Sequence, residues 1–124
     1  MRRRHLLTFA FAAASALLGA SCLSPTLPLP PPDVESVQDA GRSQWTIAGS
    51  CTPGAVVSIF NDTQNKGVLL EDTDLSGKFV VTVTADLCDV GWVSQSIGTE
   101  TSAHAPFLFE PKSPNDTGSS TACH

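Results

Sequence analysis

The chain has 124 residues, a formal net charge of −5, nine glycines, nine prolines and four cysteines. That length allows one domain, and the acidic balance excludes a DNA- or RNA-binding face, because no basic stripe is present to displace phosphate counterions. Frequent Gly, Pro, Ser and Thr, with no long helical period, favour short strands and turns and so an all-β protein.

The chain starts with a basic stretch, Met1 to His5, followed by an uncharged apolar run, Leu6 to Ala20. The run is shorter than the roughly 20 residues that span a bilayer and fits the core of a signal peptide. Leu17-Leu18-Gly19-Ala20-Ser21-Cys22 then resembles the lipobox of bacterial lipoproteins, with Gly19 where Leu is commoner. The resemblance implies that residues 1–21 are removed and that the Cys22 thiol takes up lipid, attaching the protein to a membrane. Two or three acyl chains would hold it stably where one would not. The plainer alternative is cleavage near Ala20 with Cys22 left as a thiol. Leu23, where Asp resembles an inner-membrane retention signal, implies the outer membrane. Once Arg2, Arg3 and Arg4 are gone, Arg42, Lys66, Lys78 and Lys112 face twelve acids, a net charge of −8. Such a surface keeps a secreted domain soluble and does not dock on anionic lipid through charge.

Ser24 to Pro32 holds five prolines in nine residues. Proline locks φ and removes a backbone donor, so the tract is expected as an extended spacer of about 3 Å per residue. Asp33 to Arg42 continues as a polar, acidic approach chain, compatible with a short edge strand near Val34 to Val37. Residues 22–42 together read as lipidated cysteine and tether.

The domain is expected over residues 43–111. Gln44 to Ala48 alternates as a strand, and Gly49 to Gly54 is a turn. In the next strand Ala55, Val57 and Ile59 share one face, with Val56, Ser58 and Phe60 on the other. A loop from Asn61 to Gly67 leads to a strand over Val68 to Thr73. The turn Asp74-Leu75-Ser76-Gly77 precedes a strand whose Phe79, Val81 and Val83 point one way. Strands at Trp92 to Ile97 and Ala105 to Phe109 follow, Pro106 suiting an edge. Turn signals every ten residues or so mark a sandwich.

Gly49, Pro53, Gly54, Ala55, Val57 and Ile59, then Thr73, Asp74, Gly77, Phe79, Val81 and Val83, resemble the pattern of bacterial Ig-like domains, much of it shared with carboxypeptidase-regulatory-like domains. The resemblance implies a small Ig-like antiparallel β-sandwich of about six to seven strands. Such domains serve as spacers, adhesin modules and binding appendages, and the fold alone does not choose among them.

With Cys22 lipidated, Cys51, Cys88 and Cys123 remain, and two of them should pair in an oxidising compartment. Cys51 and Cys88 both lie in the domain. Strand counting puts them at opposite ends, however, about 17 Å apart across a five-residue strand. Cys88 and the tail lie at one end, which makes Cys88–Cys123 geometrically easier. Both pairings stay open at this level.

Asp72 to Gly77 imitates the start of a calcium loop, but position twelve would be Val83 rather than a bidentate Glu. A turn between strands explains it, and no metal site or cofactor is assigned. Trp45 and Trp92 could form an aromatic platform for a sugar ring, although tryptophans in sandwiches usually pack inside. His104 stands alone, no G-x-S-x-G surrounds any serine, and no catalytic residues are assigned. Asn61-Asp62-Thr63 and Asn115-Asp116-Thr117 match glycosylation acceptors but read as turns. Residues 112–124 are polar and expected to be disordered.

These features lead to the expectation of a non-catalytic, lipid-anchored envelope protein that displays one domain for adhesion, scaffolding or partner binding. The alternative is a small carbohydrate-binding module that uses Trp45 and Trp92. The partner would be an envelope protein or a glycan, with no nucleic acid involved.

Overall fold

The computed structural model describes residues 27–116 and 122–123. The expected signal and the lipidation at Cys22 lie outside these residues. Among the described residues eight strands follow in chain order: β1 (Asp33–Gly41), β2 (Gln44–Ser50), β3 (Val56–Asn61), β4 (Lys66–Glu71), β5 (Lys78–Thr84), β6 (Val90–Ile97), β7 (Glu100–Thr101) and β8 (Ala105–Leu108). One sheet has the order β1-β2-β5. The other runs β4-β3-β6, with β7 and β8 each paired to a different half of β6. Every pairing between strands is antiparallel. The result is the expected small all-β sandwich.

The inward faces follow from alternation. β2 buries Trp45, Ile47 and Gly49, and β3 buries Val57, Ile59 and Asn61. β5 contributes Phe79 and Val83, and β6 contributes Val93. Phe109, just after β8, is fully buried and meets the Trp45 ring edge-on at 6.2 Å. The Trp45 indole N–H donates to the Ala85 carbonyl at 3.0 Å, so the ring's one polar atom is satisfied inside.

Two expectations for the flanking segments need correction. The edge strand expected near Val34 to Val37 is present but longer: nine residues of Asp33 to Arg42 form β1, paired along β2, so the segment is not approach chain and the sandwich begins about ten residues before position 43. A register shift between Val34 and Ser36 leaves Val34 and Val37 as its buried residues, three apart rather than two. The tail is also tied to the fold at two described points. Lys112 exchanges backbone hydrogen bonds with Val37 at 3.0 and 2.9 Å, and Cys123 is bonded to Cys88.

The loops gather at two ends. Loops 51–55, 72–77 and 97–100 lie at the end where the proline tract enters. The turns after β1 and β3, the loop 85–89 and Phe109 lie at the far end.

Candidate functional site

At the tether end the Asp72–Gly77 turn is built around one carboxylate. Asp72 Oδ2 accepts the Gly54 N–H at 3.0 Å and the Gly77 N–H at 2.9 Å, and Oδ1 accepts the Ser76 hydroxyl at 3.2 Å. Gly77 has φ +69°, a conformation that costs a glycine nothing and lets its N–H turn back to the carboxylate. The Gly54 N–H, followed by the Gly77 N–H, lowers the Asp72 pKa to about 2. Oδ2 is thus occupied by two backbone donors and Oδ1 is engaged by a hydroxyl. Among the described residues no group of three or more His, Cys, Asp and Glu side chains could hold a metal ion.

Cys51 lies beside this turn, half-buried and unpaired. Burial first, then the charges of Asp72 and Asp74, pushes its thiol pKa up, so the nucleophilic thiolate is disfavoured. The bridge is Cys88–Cys123, with Cα atoms 5.4 Å apart. Of the two pairings left open by the sequence, the structure takes the one that keeps both cysteines at the far end.

A polar network organises that far end. Asn61, fully buried, donates through Nδ2 to the Thr84 carbonyl at 3.1 Å and to Asp89 Oδ2 at 2.8 Å. Asp89 Oδ2 also accepts from the Gln64 amide at 2.8 Å and the Asp86 N–H at 2.9 Å. Burial opposes the Asp89 charge, yet the Asp86 N–H and the Asn61 and Gln64 amides outweigh it and hold the carboxyl below its ordinary pKa. The Asn61 amide is thus enclosed and engaged, which closes the first glycosylation match to any modifying enzyme.

The two tryptophans do not come together. Trp45 points into the core and is 3% exposed. Trp92 points outward from β6 and is half-buried. Its ring stacks on Phe60 at 5.1 Å and on His104 at 3.8 Å, the latter nearly parallel at 2°. β3 and β8 flank β6 on opposite sides, so Phe60 and His104 cover opposite faces of the indole. A sugar stacks on an open ring face, and neither tryptophan offers one. The expected Trp45–Trp92 platform is therefore not formed.

A row of ring edges stands there instead, on the outer face of the five-stranded sheet. Leu69, 72% exposed, lies beside it on β4. Together Phe60, Trp92, Leu69 and the bare backbone at Gly67 bound a shallow apolar hollow of about 190 Å³. A Cβ at Gly67 would meet the Phe60 ring at 2.6 Å, so glycine makes room for the row. The parts played by Phe60 and His104 escaped the sequence reading. The cross-strand pairs Phe60↔Trp92 and Trp92↔Pro106 would have suggested them, but those depend on register, which short strands leave open.

Comparison with known proteins finds no family model, no curated protein and no solved structure that matches the chain.

Proposed function

We propose that this chain is a non-catalytic lipoprotein of the cell envelope, anchored through Cys22, whose sandwich binds a protein partner with the outer face of its five-stranded sheet. The observation that carries the proposal is the outward-facing row of half-buried Phe60 and Trp92 with exposed Leu69 and His104. A protein partner is favoured over a glycan because both indole faces are covered, while exposed aliphatic and ring edges suit a packed protein interface. The lipobox motif supports the anchor and Leu23 the outer membrane. The Ig-like sequence pattern and the strand order of the two sheets support a display module.

Crosslinking on intact cells tests the contact. A defined adduct should form with the native protein and fade in Leu69→Asp and Trp92→Ala. It should persist in Val80→Asp, which changes an equally exposed position on the other sheet. Loss of the adduct in all three, or in none, would exclude this face. Cys22→Ala should abolish labelling by radioactive fatty acid and release the protein from the membrane fraction.

A further inference from the structure

The proline tract is fastened to the sandwich rather than hanging from it. Gln95 on β6 is 2% exposed. Its Oε1 accepts the Thr52 N–H at 2.8 Å, and its Nε2 donates to the Pro30 carbonyl at 2.6 Å. Both halves of a buried amide are thereby satisfied, one by the domain and one by the tether. Pro32 is buried, and Pro30 to Pro32 form one wall of a groove of about 290 Å³ whose other wall is the loop Cys51 to Pro53. The tract from Pro30 onward moves with the domain.

This fastening bounds how far the chain can reach between Cys22 and the domain. Between Cys22 and Pro30 lie only Leu23 to Leu29. Extended as polyproline II, that segment reaches about 25 Å. The strands are of similar length, since seven to nine residues run roughly 23–30 Å. Turning the far end toward the bilayer would lift Pro30 by the length of the sandwich and stretch the spacer to its limit. Keeping the tether end down requires no such extension.

Resting on the anchor reading above, we infer that the tether end is the membrane-facing surface of the domain, and that its partner is the lipid headgroup layer. Its tip carries Leu75, 67% exposed, beside the exposed Pro53. Leu27, 89% exposed, lies on the tether itself. Asp74 adjoins Leu75 and keeps the contact shallow, because a carboxylate stays in the headgroup water. The far end and the outer face of the five-stranded sheet are left free for partners.

Hydrogen exchange on the full-length mature protein tests this. The acylated protein in phosphatidylcholine vesicles is compared with its soluble Cys22→Ser form. Amides of 73–77 and 97–100 should exchange roughly threefold more slowly on vesicles, with 62–65 and 86–88 unchanged. A Gly/Ser insertion of about a dozen residues before Leu27 leaves the fold untouched and should remove most of that protection. Equal slowing at both ends, slowing at the far end, or protection that survives the insertion would overturn the inference. The mass of the N-terminal peptide reports the anchor separately: an unacylated Cys22 sinks the anchor and the inference with it, whereas an acylated Cys22 with unpolarised exchange sinks the inference alone.

Discussion

At the tether end and at the far end, loops that would otherwise splay are gathered by a buried carboxylate. Asp72 holds Gly54, Gly77 and Ser76, and Asp89 holds Asp86, Asn61 and Gln64. Their surroundings differ. The partners of Asp72 are mainly backbone N–H groups within one turn and its neighbour. Those of Asp89 include two side-chain amides, and Asn61 itself reaches on to Thr84. The far end also carries Cys88–Cys123 and the Phe109 plug. Apart from the Gln95 clamp, the tether end is thus fastened locally and electrostatically, whereas the far end is fastened through the core and covalently. Local fastening leaves a recognisable run of residues, and fastening through the core does not.

The largest expected effect tests the covalent half of this contrast. Replacing Cys88 and Cys123 together by Ser opens a bridge spanning 35 positions. The chain-entropy argument puts the loss at about 3–4 kcal/mol, read as a lower urea midpoint. Asn61→Ala should cost about 2 kcal/mol in the same measurement, since it strips a buried carbonyl and a buried carboxylate of a donor. If it costs no more than a surface substitution, the far end does not depend on its network.

Acid tests the tether end. Asp72 stays ionised in the fold down to about 2, whereas an aspartate in the unfolded chain takes up its proton near 3.9. Between these values the unfolded chain binds more protons, so stability falls as pH drops from about 4 to about 2. The stabilisation is fully present above that window. Asp89, also lowered, adds to the same limb. Asp72→Asn should flatten the acid limb in urea titrations repeated through this range, and an unchanged slope would remove Asp72 from the account. The smallest effect belongs to Lys78, whose ammonium meets Glu35 at 3.0 Å with 64% of the lysine side chain exposed. Lys78→Ala should leave the urea midpoint where it was, because water and salt screen such a pair.

The legibility of the fold varied along the chain for a physical reason. β2, β3 and β5 keep a strict two-residue period, so their buried faces could be read directly. β1 does not: its register shift spaces Val34 and Val37 by three, and an acidic strand with two apolar contacts looks like linker. β6 inverts the usual signal, with polar Gln95 inside and Trp92 outside. One inversion hid the tether clamp and the other hid the aromatic row. The disulfide was half legible, since strand counting separated Cys51 from Cys88 and put the tail at the Cys88 end, but it could not show that a polar tail fourteen residues past Phe109 comes back onto Cys88.

The separate placement of Trp45 and Trp92 equips the molecule with two built-in optical probes. Trp45, enclosed and bonded to the Ala85 carbonyl, should emit toward the blue and resist acrylamide until the core opens. Trp92, half-open between Phe60 and His104, should respond to a soluble quencher in the folded state. One indole reports unfolding and the other reports anything that covers the outer face, so a single emission spectrum can separate loss of fold from arrival of a partner.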